Sequence, residues 1–145
     1  MPTLQTPTGY LSYKSFNGKL LSLVWGDTYE NQPEDFNISK ELDLYFQGKL
    51  RDFSMQVLPE GTAYQQKVWQ ALLTIPYGEV RTYKDIAEQI GSHARAVGSA
   101  VGKNPIPIII PCHRVLGSNG SLTGFSGGEG ITTKKQLLDL EQNNT

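Results

Sequence analysis

The sequence predicts an α+β fold in two parts, and three observations carry that prediction. A β-hairpin signature near the N-terminus precedes an amphipathic helix and a short alternating segment. The second half holds two short helices joined by a glycine-bearing turn, the outline of a helix-turn-helix. Between them, Pro59-Glu60-Gly61 marks a boundary, which gives an α+β domain over 1–59 and a helical domain over 60–145.

The hairpin is read from "GYLSYKSFNGKLLSLVW": Tyr10 to Phe16, an Asn17-Gly18 turn, then Lys19 to Trp25. Asn-Gly supplies the two positive-φ residues that a tight hairpin turn needs. Residues 26–37 form a polar loop. Ser39 caps a helix with Leu42, Tyr45 and Phe46 on one face and Gly48 as its stop. This helix contains "LYFQG", which resembles a protease site used in expression tags, but its flanks continue the amphipathic pattern. "DFSMQV" alternates and suits a third strand.

In the second half Thr62 and Gln65 form a capping box, and the helix runs through Val68, Trp69 and Leu72 to Pro76. "IPYGEVRTY" is a turn. Thr82 and Asp85 open a short helix that ends at Gly91, and Ser92 caps the next, "HARAVGSAVGK", which stops near Asn104-Pro105. A last helix spans about Thr133 to Glu141. The helix from 93 to 103 is rich in small residues, with Arg95 the large cation among them. Glycine in a helix costs about 0.5–1 kcal/mol relative to alanine, so something must come close to this backbone. Tight helix packing and approach to a nucleic-acid backbone both meet that requirement.

Composition narrows the classes. With 145 residues, 38% apolar and 19% charged, the chain is a globular protein able to bury roughly 70% of its extended surface. One cysteine excludes an internal disulfide and argues against a cysteine-based zinc site. The N-terminus has neither a basic region nor an apolar core, so no signal peptide is expected, and Ile106 to Pro111 is too short to span a bilayer. A reducing, cytoplasmic setting is expected. The formal charge of −1 argues against broad electrostatic capture of nucleic acid but leaves room for a local basic face.

The chemistry concentrates in "PIPIIIPCHRV". A free thiol ionises near pH 8.5, and burial after three isoleucines raises that further, so a reactive Cys112 needs compensation from nearby groups. His113 supplies a base and Arg114 a positive field. Neighbouring side chains diverge, so His113 acts on the sulfur through a water, with Glu141 or Asp139 holding its far nitrogen.

"NPIPIIIPCHRVLGSNGSLTGFSGG" strongly resembles the active-site signature of the O6-alkylguanine–DNA alkyltransferases, or methylated-DNA–protein-cysteine methyltransferases. The resemblance extends through "RAVGSAVGKNP", "IPYGEVRTYKDIA" and "AYQQKVWQAL" over nearly all of 60–141, and more loosely through "TPTGYLSY" and "LDLYFQGKL". It implies a ribonuclease-H-like N-terminal domain and a winged-helix-like second one. It implies irreversible, stoichiometric transfer of an alkyl group from O6-alkylguanine to Cys112, with O4-alkylthymine left open as a further substrate, and with no cofactor and no metal.

By the same resemblance His113 is the base acting through water, Glu141 its orienting carboxylate, Asn104 the brace of the preceding turn, and Tyr83 the donor to the departing guanine. Arg95 fills the gap left by a flipped nucleotide. Ala94, Ala96 and Gly98 let the helix lie close in the minor groove of double-stranded DNA. Carbonyls of Cys112 and Val115 and the amide of Ser126 read the guanine edge. Val101 and Phe125 wall the pocket, and Arg114 is grouped with the substrate-facing residues. A monomer is expected, with cooperative assembly on DNA left open. Phe125 stands where a tyrosine is frequent, and the longer "GGEGITTKK" loop bears on the register of Glu141. A lesion-binding module without transfer, a helix-turn-helix transcription factor and a cysteine hydrolase are the competing classes.

Overall fold

The computed structural model describes residues 3–122, 125 and 127–145. The N-terminal half is a four-stranded sheet in the order β1-β2-β3-β4, made of Thr3–Thr6, Gly9–Phe16, Lys19–Trp25 and Gln56–Val57. The predicted hairpin is β2 and β3, and its turn residues Asn17 and Gly18 have φ of 52° and 77°, as that tight turn requires. Leu11 and Tyr13 from β2 and Leu20 and Leu23 from β3 are buried beneath helix α1, Phe36–Phe46, which turns Ile38, Leu42 and Tyr45 inward.

Three local expectations change here. The cap of α1 is Asp35, whose carboxylate accepts the amides of Asn37 and Ile38. Ser39 instead lies inside the helix, where its hydroxyl pairs with that of Tyr13 at 2.7 Å. The strand expected over 52–57 shortens to β4, which runs parallel to β3, because Ser54 is drawn to the Glu41 carboxylate on α1. Strand β1 was not foreseen; four mostly part-buried residues give little alternation to read.

The second half contains α2 (Ala63–Leu72), α3 (Tyr83–Ile90), α4 (Ala94–Gly102) and α5 (Ile131–Asn143). Both expected capping boxes form, Thr62 with Gln65 and Thr82 with Asp85, and Gly91 ends α3 at φ 70°. The α4 cap is His93, not Ser92: the imidazole Nδ1 accepts from the Ala96 amide, while the Ser92 hydroxyl pairs with Tyr64 at 2.7 Å. Two-residue strands β5 (Arg81–Thr82) and β6 (Val115–Leu116) pair in parallel, too short for any periodic signal. The apolar run from 106 to 110 is not a strand; its prolines break the ladder and it folds as successive turns.

Buried side chains of both halves belong to one apolar cluster, from Leu11 and Tyr45 to Trp69 and Ile110. No helix among the described residues is long and apolar enough to cross a membrane. Trp69 joins α2 to α4: it is buried, and its indole N–H donates to the Ala100 carbonyl at 2.9 Å. Trp69→Phe leaves a void and removes the link between the helices, although the Ala100 carbonyl keeps the Lys103 amide, and is expected to lower unfolding free energy by about 2 kcal/mol in urea titrations.

Candidate active site

The single thiol is delivered by a strained turn. The Asn104 amide donates to the Ile110 carbonyl at 2.9 Å, and its oxygen accepts the Ile106 amide at 2.9 Å, so one side chain spans the segment. Ile108 is held at φ 77°, a left-handed conformation that a β-branched residue adopts only under constraint. The Leu23 amide of β3 donates to Pro105, which ties this turn to the hairpin. A 3-10 turn, Cys112–Arg114, follows and presents the cysteine.

Cys112 is 7% exposed and lines a pocket of about 420 Å³. Val101, Asn104 and Phe125 form walls with it, as does Trp25, whose ring meets Phe125 edge-on at 5.7 Å. That size and mostly apolar lining suit a planar heterocycle. The hairpin therefore builds part of the pocket, which the sequence did not reveal. Phe125 keeps its wall without a hydroxyl. Ser126 lies outside the described residues.

Beside the thiol, His113 and Glu141 are 0% and 1% exposed, and their side chains meet at 2.6 Å between Nε2 and Oε2. The longer loop has thus not displaced Glu141 from register, and Asp139 is occupied elsewhere, by Lys135. An ionised carboxylate only accepts, so Nε2 carries the hydrogen and Nδ1 presents a lone pair. Nδ1 is buried with no hydrogen-bond partner among the described residues.

Arg114, grouped from the sequence with substrate-facing residues, turns inward. Its Nε donates to Glu141 Oε1 at 2.8 Å, Nη2 to Oε2 at 3.0 Å and Nη1 to the Ile75 carbonyl at 2.7 Å. Tyr45 of α1 also donates to Oε2, at 2.6 Å. Burial alone would raise the Glu141 pKa, but His113 and Arg114 outweigh it and hold the carboxyl well below its usual range. Burial keeps the His113 pKa below its ordinary value against the pull of Glu141, so the imidazole is a neutral base at neutral pH.

Burial pushes the Cys112 thiol up, and the Asn104 side chain, the Lys134 ammonium and the amides of Cys112 and His113 act in the opposite direction. Lys134 of α5 is 1% exposed, and desolvation lowers its pKa to about 8. Its Nζ donates to the Val115 carbonyl at 2.5 Å and stands 6.0 Å above the Tyr83 ring. Lys134 is not legible in the sequence, because nothing in "ITTKKQLL" separates a buried lysine from its solvated neighbour.

On α4, Val97, Ala100 and Val101 are buried, while Ala94 and Arg95 are exposed and Ala96 and Gly98 half-exposed. A Cβ on Gly98 would make only ordinary contact with Tyr83, and one on Gly102 would meet nothing within 4 Å. Internal packing therefore does not require those glycines. Among the described residues no cluster of His, Cys, Asp or Glu is placed to hold a metal ion.

Two outcomes are expected from these electrostatics. Lys134→Met should move the midpoint of Cys112 alkylation by iodoacetamide to higher pH, with Lys134→Arg retaining it. Glu141→Gln should cost about 3–5 kcal/mol of stability at neutral pH. Because the folded carboxyl titrates below its unfolded value of 4.5, that gap should narrow as pH falls below 4.5, as measured by denaturant unfolding at each pH.

Comparison with known proteins places this geometry. Residues 63–143 match the family model described as 6-O-methylguanine DNA methyltransferase, DNA binding domain. A methylated-DNA–protein-cysteine methyltransferase of Methanosarcina barkeri is 50% identical over 129 residues, covering 88% of this chain and 80% of its own length. One from Mycobacterium bovis is 46% identical over 151 residues, covering 97% and 90%. The crystal structure of a Mycobacterium tuberculosis OGT in complex with DNA superposes with a TM-score of 0.88 at 44% identity, covering 99% of this chain and 92% of that one. At this level of identity over most of its length, the chain belongs to the methylated-DNA–protein-cysteine methyltransferase family.

Proposed function

We propose that this protein repairs DNA by moving an alkyl group irreversibly from O6-alkylguanine onto Sγ of Cys112. The observation that carries this reading is the adjacency of a pocket-lining thiol to a buried imidazole whose Nδ1 is bare and whose Nε2 is bonded to Glu141.

The step balances without a cofactor. The thiol proton passes through a water to Nδ1 of His113. The thiolate attacks the alkyl carbon in line, so an S–C bond forms as the O6–C bond breaks, and the electron pair leaves with guanine. Tyr83 protonates the departing ring. Glu141 orients the imidazole and is itself too firmly ionised to take the proton. The product thioether has no acidic proton and is a poor leaving group, so the protein acts once.

Recognition follows from the same surfaces. The Cys112 carbonyl already accepts the Val115 amide and the Val115 carbonyl accepts Lys134, but each carbonyl oxygen keeps a second lone pair for the exocyclic amine of guanine. Val101 and Phe125 sandwich the base. Arg95, exposed on α4, fills the place of the everted nucleotide. The small residues Ala94, Ala96 and Gly98 let the helix approach the minor groove of double-stranded DNA, a role supported by the freedom of Gly98 and Gly102 from internal packing demands. Extrusion costs a few kcal/mol and exposes an oxygen otherwise locked in the stack.

The finer architecture belongs to the same proposal: a ribonuclease-H-like domain over 1–59 and a winged helix-turn-helix domain over 60–145, monomeric in solution. A thiol that must stay reduced suits the cytoplasm.

Incubation with duplex containing O6-methylguanine should add one methyl to the Cys112 peptide in mass spectrometry, with no second turnover, and Cys112→Ser should add none. Tight lesion binding by the unsubstituted protein with no mass gain would show a recognition module instead, and continued turnover a hydrolytic enzyme.

A further inference from the structure

We propose that Tyr45, contributed by the N-terminal helix α1, is a positioning residue for alkyl transfer, acting through Glu141 on His113. The inference rests on the alkyl-transfer reading above and deepens it.

The geometry is unambiguous in what it brings together. Tyr45 is 0% exposed, and its hydroxyl donates to Glu141 Oε2 at 2.6 Å, across a sequence separation of 96. The same oxygen accepts Nε2 of His113 at 2.6 Å and Nη2 of Arg114 at 3.0 Å. Oε1 is occupied by Nε of Arg114 at 2.8 Å, with the Gly78 amide more distant at 3.4 Å. Tyr45 is thus the one donor to this carboxylate from the N-terminal half among the described residues. Its ring is fixed independently, edge-on to Phe46 and Tyr77 and tilted against Phe53.

Two consequences follow from one oxygen serving several donors. First, the Tyr45 hydroxyl limits where Oε2 can swing, and the direction of Oε2 sets the plane of the imidazole. Second, each additional donor draws negative charge from Oε2 and leaves less to stabilise an imidazolium at His113. Tyr45 therefore adds to burial in favouring the neutral, proton-accepting imidazole. The phenol remains a donor throughout, since burial and the neighbouring carboxylate oppose its ionisation.

The other ionisable groups around this centre are accounted for. Tyr77 comes from the loop after α2 and Arg51 from the segment after α1, where the Arg51 and Arg114 guanidiniums lie on the Tyr77 ring at 5.6 Å each. Arg114 and Cys112 share the 3-10 turn with His113, and Lys134 stands on α5. Of these, Arg114 is a permanent cation, and none of the others is bonded to the oxygen that holds Nε2. Tyr45→Phe consequently deletes one hydrogen bond and leaves every charge in place.

The experiment is the single-turnover rate of methyl transfer from O6-methylguanine duplex, followed from pH 5 to 8, for the unsubstituted protein and Tyr45→Phe. Loss of the hydroxyl should displace the acid limb upward by about half a pH unit and lower the rate on the acid side of the limb by up to about threefold, with little change at pH 8. As a second variant, 3-fluorotyrosine incorporated at position 45, a stronger donor, should displace the limb the other way. Opposite displacements are a signature that a loss of packing alone does not produce. Coincident limbs for all three proteins overturn the role of Tyr45 while leaving alkyl transfer intact. Absence of methyl transfer by the unsubstituted protein overturns the parent reading instead. If Tyr45→Phe does not fold, the fluorinated protein decides alone: a limb that stays in place rejects the proposal.

Discussion

The structure turns on one buried carboxylate. Glu141 is almost wholly withdrawn from water, and an unpartnered charge there would cost several kcal/mol. Its oxygens are satisfied by donors from elements far apart in sequence: Tyr45 on α1, His113 and Arg114 on the 3-10 turn, and more weakly Gly78 after α2. Removing any strong donor leaves the buried carboxylate less well satisfied. The carboxylate is thus both the orienting group for His113 and the polar fastening between the N-terminal half and the active-site turn. Orientation of His113 and assembly of the two halves share one residue.

A second constraint lies in the approach to Cys112. The sulfur sits on a 3-10 turn and not on a regular strand. Prolines interrupt the run, Asn104 clamps both its ends, and Ile108 takes a left-handed conformation that nothing in its own side chain favours. The strain is sustained because Ile106, Ile108 and Ile110 are all buried in the common core. The pocket above the sulfur combines walls from this turn, from α4 and from the hairpin, so the N-terminal half takes part in the site's shape as well as in its electrostatics.

Much of this was legible in the residues. Asn17-Gly18 announced the hairpin, since few other pairs accept two positive φ values. The pairs Thr62/Gln65 and Thr82/Asp85 announced helix starts, because capping is a local exchange of hydrogen bonds over three residues. Local signals failed where tertiary contacts competed. Ser39 looked like a cap, yet Tyr13 engages its hydroxyl and Asp35 caps instead. Ser92 likewise yields to His93 because Tyr64 takes its hydroxyl. Arg114 looked like a cation aimed outward. The buried Glu141 draws it in, and no pattern within "PCHRV" records where a carboxylate 27 residues later will lie.

By itself, the sequence determined the order of the helices, the hairpin, the single nucleophile, and a signature segment specific enough to name the class of chemistry. Those properties reside in residue identity and short spacing. The tertiary structure alone decided that Tyr45 reaches Glu141, that Lys134 is buried against Val115 and Tyr83, and that Trp25 walls the thiol's pocket. Each depends on which distant groups share a space from which water is excluded. A chain encodes that outcome only through its whole packing, and so a tyrosine, a lysine and a tryptophan with unremarkable neighbours in sequence become parts of one site.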